Sequence, residues 1–306
     1  MTIVNADGVL VPPDRAVVSV FDRGFLYGDS VYEVVRTYGG RPFELGAHLA
    51  RLRHSAARLA LALPWDEARI RHEVEVTLAA SAREGEPPDP GAAPWNRDER
   101  SLRIIVTRGA GELGLDPALA VGPRAFLIAT ALRGPPAEAY RSGVPCRIVG
   151  VRHDAPDAVD TTAKTGAHLA NVLAVAEARA AGAHEALLLD RDGLVTEGAS
   201  SNVFVVREGR LETPPLAAGI LEGVTRGIVL ALARGAGLDV RERPLRPEQL
   251  LSADEVFITS TAREVLPVTT VDGAAVGTGR VGSTTTRLHA LFRARADRTA
   301  HGEVVS

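Results

Sequence analysis

The sequence predicts a two-lobed chain of mixed α-helices and β-strands, an α/β or α+β architecture. Three observations carry this. Its 306 residues suffice for about two domains. Strand-like and helix-like segments are interleaved from end to end. Gly134-Pro135-Pro136 breaks the pattern near the middle, which predicts a domain over residues 1–131, a linker over 132–138 and a larger domain over 139–306.

Taken in order, Val17–Phe21 and Ser30–Tyr38 read as strands, the second rich in β-branched and aromatic residues and closed by Gly39-Gly40. Leu49, Leu52, Ala56, Leu59 and Leu63 recur at helical spacing before Pro64, and Asp66–Ser81 predicts a second helix. Arg83–Arg100, rich in proline, glycine and charge, reads as an exposed, mobile loop. Leu102–Thr107 and Arg124–Ala131 are strands. In the second half Arg147–Val151, Glu185–Asp190, Leu194–Thr196, Asn202–Val206 and Glu255–Thr259 are strands, with turns at Asp192-Gly193 and Glu208-Gly209. Thr165–Ala181, Thr225–Ala236 and Arg287–Arg298 are helices.

Composition excludes several classes of function. A formal charge of −3 gives no general case for binding nucleic acid or an anionic membrane. No apolar run approaches a membrane span, and the N-terminus lacks a signal-peptide pattern, so the expectation is a cytoplasmic protein. The single cysteine, Cys146, rules out an internal disulfide. The eight histidines show no paired metal spacing, so no metal is expected. Gly109-Ala-Gly-Glu-Leu-Gly114 matches a dinucleotide fingerprint, but Asp116-Pro117 follows where a helix should open. A nucleotide-dependent reductase is kept as the alternative of a different class.

One residue stands out. Of 35 lysines and arginines, only Lys164 is a lysine. Arginine replaces lysine wherever a surface charge is wanted, but it cannot supply an amine that loses its proton. Lys164 lies at the expected start of the Thr165–Ala181 helix, whose buried stripe would be Leu169, Val172, Leu173 and Ala176. The positive end of that helix would favour an amine nucleophile able to form a Schiff base. Gly219–Thr225 opens a helix and reads as an anion holder or a plain helix cap. Thr259-Ser260-Thr261, after a strand, offers hydroxyls and main-chain donors, and Glu197 is a carboxylate at a strand end.

These features lie within longer stretches. They are Phe21–Glu33, His48–Leu52, Glu185–Asp190 with Val195–Phe204 and Thr213–Pro215, Gly219–Arg226, and Ser260–Val265. Together they resemble the class IV pyridoxal-phosphate aminotransferases, a group that includes branched-chain aminotransferases, D-amino-acid aminotransferases and aminodeoxychorismate lyases. The resemblance implies fold type IV, with a smaller N-terminal α/β domain and a larger C-terminal domain built on a mixed, barrel-like sheet. It implies pyridoxal 5'-phosphate carried by Lys164, which also moves the substrate α-proton. Glu197 would pair with the pyridine nitrogen. Arg51 would clasp the phosphate with its bidentate fork, within a cradle of Val224, Thr225, Ser260 and Thr261. On the substrate side, Tyr27 and Tyr32 would be wall residues, and Arg36 would orient them or meet a carboxylate. The Ala262 N–H would bind a carboxylate. Arg108 is either a carboxylate binder or an ordinary strand-end arginine.

The expected reaction is a ping-pong transfer from an aliphatic, branched-chain L-amino acid to 2-oxoglutarate or pyruvate, in a homodimer. Phe25 would join Tyr27 and Tyr32 in an apolar pocket. D-amino acids or R-amines come next, then an aminodeoxychorismate lyase. The signals conflict: Arg108–Pro117 looks branched-chain-like, whereas the spacing from Lys164 to Arg179 is the form shared with D-amino-acid enzymes. Ala167, His168 and Leu169 also depart from the asparagine and aromatic residues of many relatives, and His168 is a candidate substitute.

Overall fold

A computed structural model of the chain describes residues 1–82, 92–152 and 162–302. Much of the expected Arg83–Arg100 loop and the Asp160 end of the lysine motif lie outside the described residues. The first half contains β1 (Ile3–Ala6), β2 (Val9–Val11), α1 (Arg23–Tyr27), β3 (Ser30–Tyr38), β4 (Arg41–Pro42), α2 (Leu45–Arg58), α3 (Glu67–Ser81), β5 (Arg100–Thr107) and β6 (Arg124–Ala131). These strands form a six-stranded antiparallel sheet ordered β2-β1-β6-β5-β3-β4. The inward residues of β3, Val31 and Val35, join Leu49, Leu52 and Ala56 of α2 and Ile70, Val74 and Leu78 of α3 in one core. Asp66 caps α3 by accepting from the Arg69 N–H at 2.8 Å.

The second half contains α4 (Ala137–Ser142), β7 (Val144–Arg152), α5 (Leu169–Ala180), β8 (Glu185–Leu189), β9 (Val195–Gly198), β10 (Asn202–Arg207) and β11 (Arg210–Thr213). It continues with α6 (Val224–Gly235), β12 (Asp239–Glu242), α7 (Pro247–Leu251), β13 (Glu255–Ser260), β14 (Glu264–Val271), β15 (Ala274–Ala275) and α8 (Ser283–Ala300). Its sheet is mixed and curled, ordered β12-β11-β10-β13-β14-β7-β8-β9 with β15 on β14. Three pairs are parallel: β11 with β12, β14 with β7, and β7 with β8. Phe204, Phe257, Phe292 and Leu288 form a core against α6 and α8 that also takes in Tyr38 and Phe43 from the first half.

Four expectations need correction. Val17–Phe21 pairs with no strand among the described residues, and Val17, Val18, Val20 and Phe21 are exposed. The first long helix ends at Arg58 rather than at Pro64, because Ala60 takes a left-handed φ of 46°. Of the expected exposed loop, Ala92, Ala93 and Asn96 are buried. The helix after Lys164 begins at Leu169, and its buried residues are Ala174 and Ala178. Leu169, Val172 and Leu173 instead face outward, Leu169 with 73% exposure.

Candidate active site

Lys164 is not on a helix. Its carbonyl accepts from the Tyr32 N–H at 3.0 Å, the Gly166 N–H donates to the Ser30 carbonyl at 2.9 Å, and Thr165 bridges Val31. The lysine therefore runs beside β3 as an extended segment. The Ser55 hydroxyl accepts from the Lys164 N–H at 2.9 Å, tying that segment to α2. This removes the helix dipole as the agent acting on the amine. The side chain instead lies over an aromatic ring, with Nζ 4.4 Å from the Tyr32 centroid. Arg103 Cζ is 4.6 Å from the same centroid, and His168 meets that ring edge-on at 5.0 Å. Burial first, then the charges of Lys164 and Arg103, holds the His168 pKa below the usual imidazole value, so the ring is neutral at pH 7.

Alternation along β3 sorts its residues. Tyr32 and Val34 line a cavity of about 850 Å³, whereas Val31, Glu33 and Val35 point the other way, into the first core. Lys164, Arg51, Glu197, Val224, Thr225, Ser260, Thr261 and Ala262 all line this cavity, together with Tyr32, Arg103 and His168. Glu197 stands on β9, and one of its oxygens accepts from Asn202 Nδ2 and from the Leu221 N–H, both at 3.1 Å. The α6 helix opens on Gly223 with no side-chain cap. A Cβ at Gly223 would lie 2.0 Å from Asn202 Oδ1, so this cap must be glycine. The first amides of α6 are thus left for a ligand.

The other expected site residues lie elsewhere. Tyr27 is partly exposed and outside the cavity, its hydroxyl accepting from the Gly114 N–H at 3.2 Å. Phe25 is exposed. Arg36 is buried behind the site, donating to Glu264 and Asn96 at 2.9 Å each. Arg108 donates to Asp29 at 2.7 Å and to the carbonyls of Leu59 and Ala60, so its fork is used within the first half. The glycine-rich loop packs on residues 119–122: a Cβ at Gly109 would sit 1.8 Å from the Gly122 carbonyl oxygen. Only a three-residue 3-10 turn, Pro117–Leu119, follows it, not the longer helix that the dinucleotide motif would require.

Sequence reasoning missed Arg103, Asn202, Ser55 and Glu33. A charged residue in the middle of the apolar Leu102–Thr107 strand was the available signal for Arg103. The other three act through pairings that no local pattern encodes.

The described residues hold no His/Cys/Asp/Glu cluster suited to a metal. They do suit a phosphorylated pyridine aldehyde. The uncapped N-terminus of α6, Thr225, Thr261 and Arg51 all line the cavity. Glu197 and the only lysine line the same cavity. Thr259 Oγ1 and His168 Nε2, both from lining residues, are buried with no hydrogen-bond partner among the described residues.

Comparison with known proteins agrees with this geometry. The family model described as amino-transferase class IV matches residues 30–271. A Methanocaldococcus jannaschii protein provisionally named a branched-chain-amino-acid aminotransferase is 38% identical over 290 residues, 95% of each chain. The D-alanine aminotransferase of Bacillus licheniformis is 35% identical over 279 residues, covering 91% of this chain and 92% of that one. The structure of a T.th. branched-chain amino acid aminotransferase with pyridoxamine 5'-phosphate superposes with a TM-score of 0.85 at 29% identity, covering 96% and 93% of the two chains. The protein belongs to the class IV aminotransferases. It is a fold type IV enzyme whose cofactor is pyridoxal 5'-phosphate.

Proposed function

We propose that the enzyme transfers the amino group of an aliphatic, branched-chain L-amino acid to 2-oxoglutarate or pyruvate, by two half-reactions run in turn. The observation that carries this is the convergence of Lys164, Glu197, Arg51 and the α6 N-terminus on one cavity. The branched-chain names among its relatives favour the substrate class. When bound, pyridoxal phosphate supplies the carbonyl that receives the amino group and a ring that takes up the electrons released at the α-carbon. The chain supplies the rest. The amides of Val224 and Thr225, the hydroxyls of Thr225 and Thr261 and the outer edge of Arg51 hold the phosphate, with Ser260 beside them. Glu197, fixed by Asn202 and Leu221, accepts a hydrogen bond from the protonated ring nitrogen. Lys164 would carry the proton between the substrate α-carbon and cofactor C4′.

The side-chain pocket has Tyr32 and Val34 on one wall, without Tyr27 or Phe25 of this chain. Arg103, sharing the Tyr32 ring with Lys164, is the cation for the second carboxylate of 2-oxoglutarate. Arg103→Met should raise the KM for 2-oxoglutarate at least about tenfold and barely alter that for pyruvate, because a charge-assisted pair is lost only with the diacid. Equal change with both acceptors would remove Arg103 from that role.

The D-alanine aminotransferase relative supports a second reading, a D-amino-acid enzyme. A half-reaction screen separates the two. L-leucine and L-valine should discharge the yellow cofactor colour, with D-alanine, D-glutamate and an R-amine inert; discharge by the D-substrates alone would refute the L-reading. A homodimer fits the same proposal. Val17, Val18, Val20, Phe21 and Phe25 are exposed beside Leu113, Leu115 and Val121, and the two segments are joined by the Asp22–Ala110 bridge. A molar mass of one chain in light scattering would refute it. No described helix is long and apolar enough to cross a membrane, and a cytoplasmic location is part of the proposal.

A further inference from the structure

We infer that Glu33 and His48 are positioning residues that aim Arg51 at the cofactor phosphate and thereby set cofactor affinity. The inference rests on the reading of Arg51 as a phosphate holder. The sequence-based expectation has the arginine fork facing the phosphate, but the fork is already engaged by the protein. Arg51 Nε donates to Glu33 Oε1 at 2.6 Å and Nη2 donates to Glu33 Oε2 at 2.8 Å, while Nη1 donates to the Glu222 carbonyl at 2.8 Å. Of five guanidinium N–H groups, two remain, one on each terminal nitrogen. These are what the arginine can offer the cavity it lines.

Behind this arginine is a second support. His48 stands one turn before Arg51 on α2, so both side chains meet β3 on the same side. His48 Nδ1 lies 2.8 Å from Glu33 Oε2. Burial alone would push the Glu33 carboxyl up, but the hydrogen bonds from Arg51 and His48 and the arginine charge bring its pKa to about 2. The carboxylate is therefore ionised and accepts only, so the proton on this contact belongs to Nδ1. Glu33 and His48 are almost fully buried, and Arg51 is 10% exposed at its side chain. An arginine on a helix has many rotamers, and this buried pair selects one before any ligand arrives. The arrangement has a cost, because Glu33 cancels much of the charge that would attract a phosphate. A carboxylate here makes sense only if direction matters more than charge.

The two effects predict opposite outcomes for Glu33→Gln. The amide removes the counter-charge and sets its own N–H donors against those of Arg51 and His48. If aim dominates, the dissociation constant for pyridoxal phosphate should rise at least about tenfold in full-length protein, while that for phosphate-free pyridoxal changes less than about twofold. A tighter or unchanged ratio between the two probes would overturn the inference. Arg51→Met is measured alongside. If it abolishes the preference for the phosphorylated probe and Glu33→Gln leaves that preference unchanged, the positioning role fails and the Arg51 reading stands. If Arg51→Met leaves the preference intact, the Arg51 reading itself is wrong. Should Glu33→Gln fail to fold, His48→Gln keeps the ion pair and carries the test. It should raise the same ratio about threefold, and an unchanged ratio would overturn the inference.

Discussion

Replacing Lys164 by arginine should give a folded but colourless protein whose transamination falls at least about a thousandfold, the scale lost with a combined nucleophile and proton carrier. The substitution is chosen because it spares the packing. Arginine keeps a cation over the Tyr32 ring, and the main-chain ties of residue 164 to Ser55 and Tyr32 do not depend on the side chain. What it cannot keep is an amine that gives up its proton. A melting temperature near that of the parent, with the cofactor no longer retained after gel filtration, would separate chemistry from folding. Retained colour and activity would mean that another group carries the cofactor.

Replacing Glu264 by alanine should cost about 3–5 kcal/mol of stability, the range for leaving buried charges without their partner. Glu264 is fully buried with a left-handed φ of 57°. It accepts from Arg36 at 2.9 Å and Tyr38 at 2.7 Å, and from His289 and Arg293 at 2.8 Å and 3.0 Å. This one carboxylate therefore joins β3, β14 and α8 two residues beyond Ala262. Its loss leaves the buried Arg36 with Asn96 and the Thr37 carbonyl as its hydrogen-bond partners among the described residues. The thermal midpoint should drop by roughly 10 °C, and a shift under 2 °C would show that the network is not structural support.

The same carboxylates predict acid sensitivity. Burial would raise Glu264, but its bond from His289 and the charges of Arg36 and Arg293 bring it from 4.5 to about 2, the value also reached by Glu33. A carboxyl lowered in the folded state binds protons first in the unfolded chain. Stability should therefore be full above about pH 4.5 and fall as pH drops from there toward about 2. Glu264→Ala should flatten that limb, and an unaltered slope in the variant would contradict the assignment.

The elements easiest to read were those whose side chains report their own surroundings. Ser30–Tyr38 was legible to the residue, since its β-branched and aromatic run has a buried face and a cavity face. Glu67–Ser81 was legible from its Asp66 cap. Leu169, Val172 and Leu173 misled because helical spacing marks an apolar stripe without saying what covers it, and among the described residues nothing does. Arginines were the weakest point. Arg36 was expected to orient the tyrosines or meet a carboxylate, and Arg108 to be either a carboxylate binder or a strand-end arginine; they donate to Glu264 and Asp29, 228 and 79 residues away in sequence. Arg103, on the strand that leads into Arg108, was passed over although it reaches the cavity. Lys164 escaped that difficulty because the sequence offers no second lysine, and its special status needed no partner to be seen.

That single lysine also gives the most direct test of the central claim. The purified protein is reduced with borohydride, digested and mapped by mass spectrometry. A pyridoxyl-phosphate adduct on the peptide containing Lys164, lost if L-leucine is added before the reductant, is the result this account predicts. A protein that takes up no pyridoxal phosphate, or one that yields no adduct at Lys164, would contradict it.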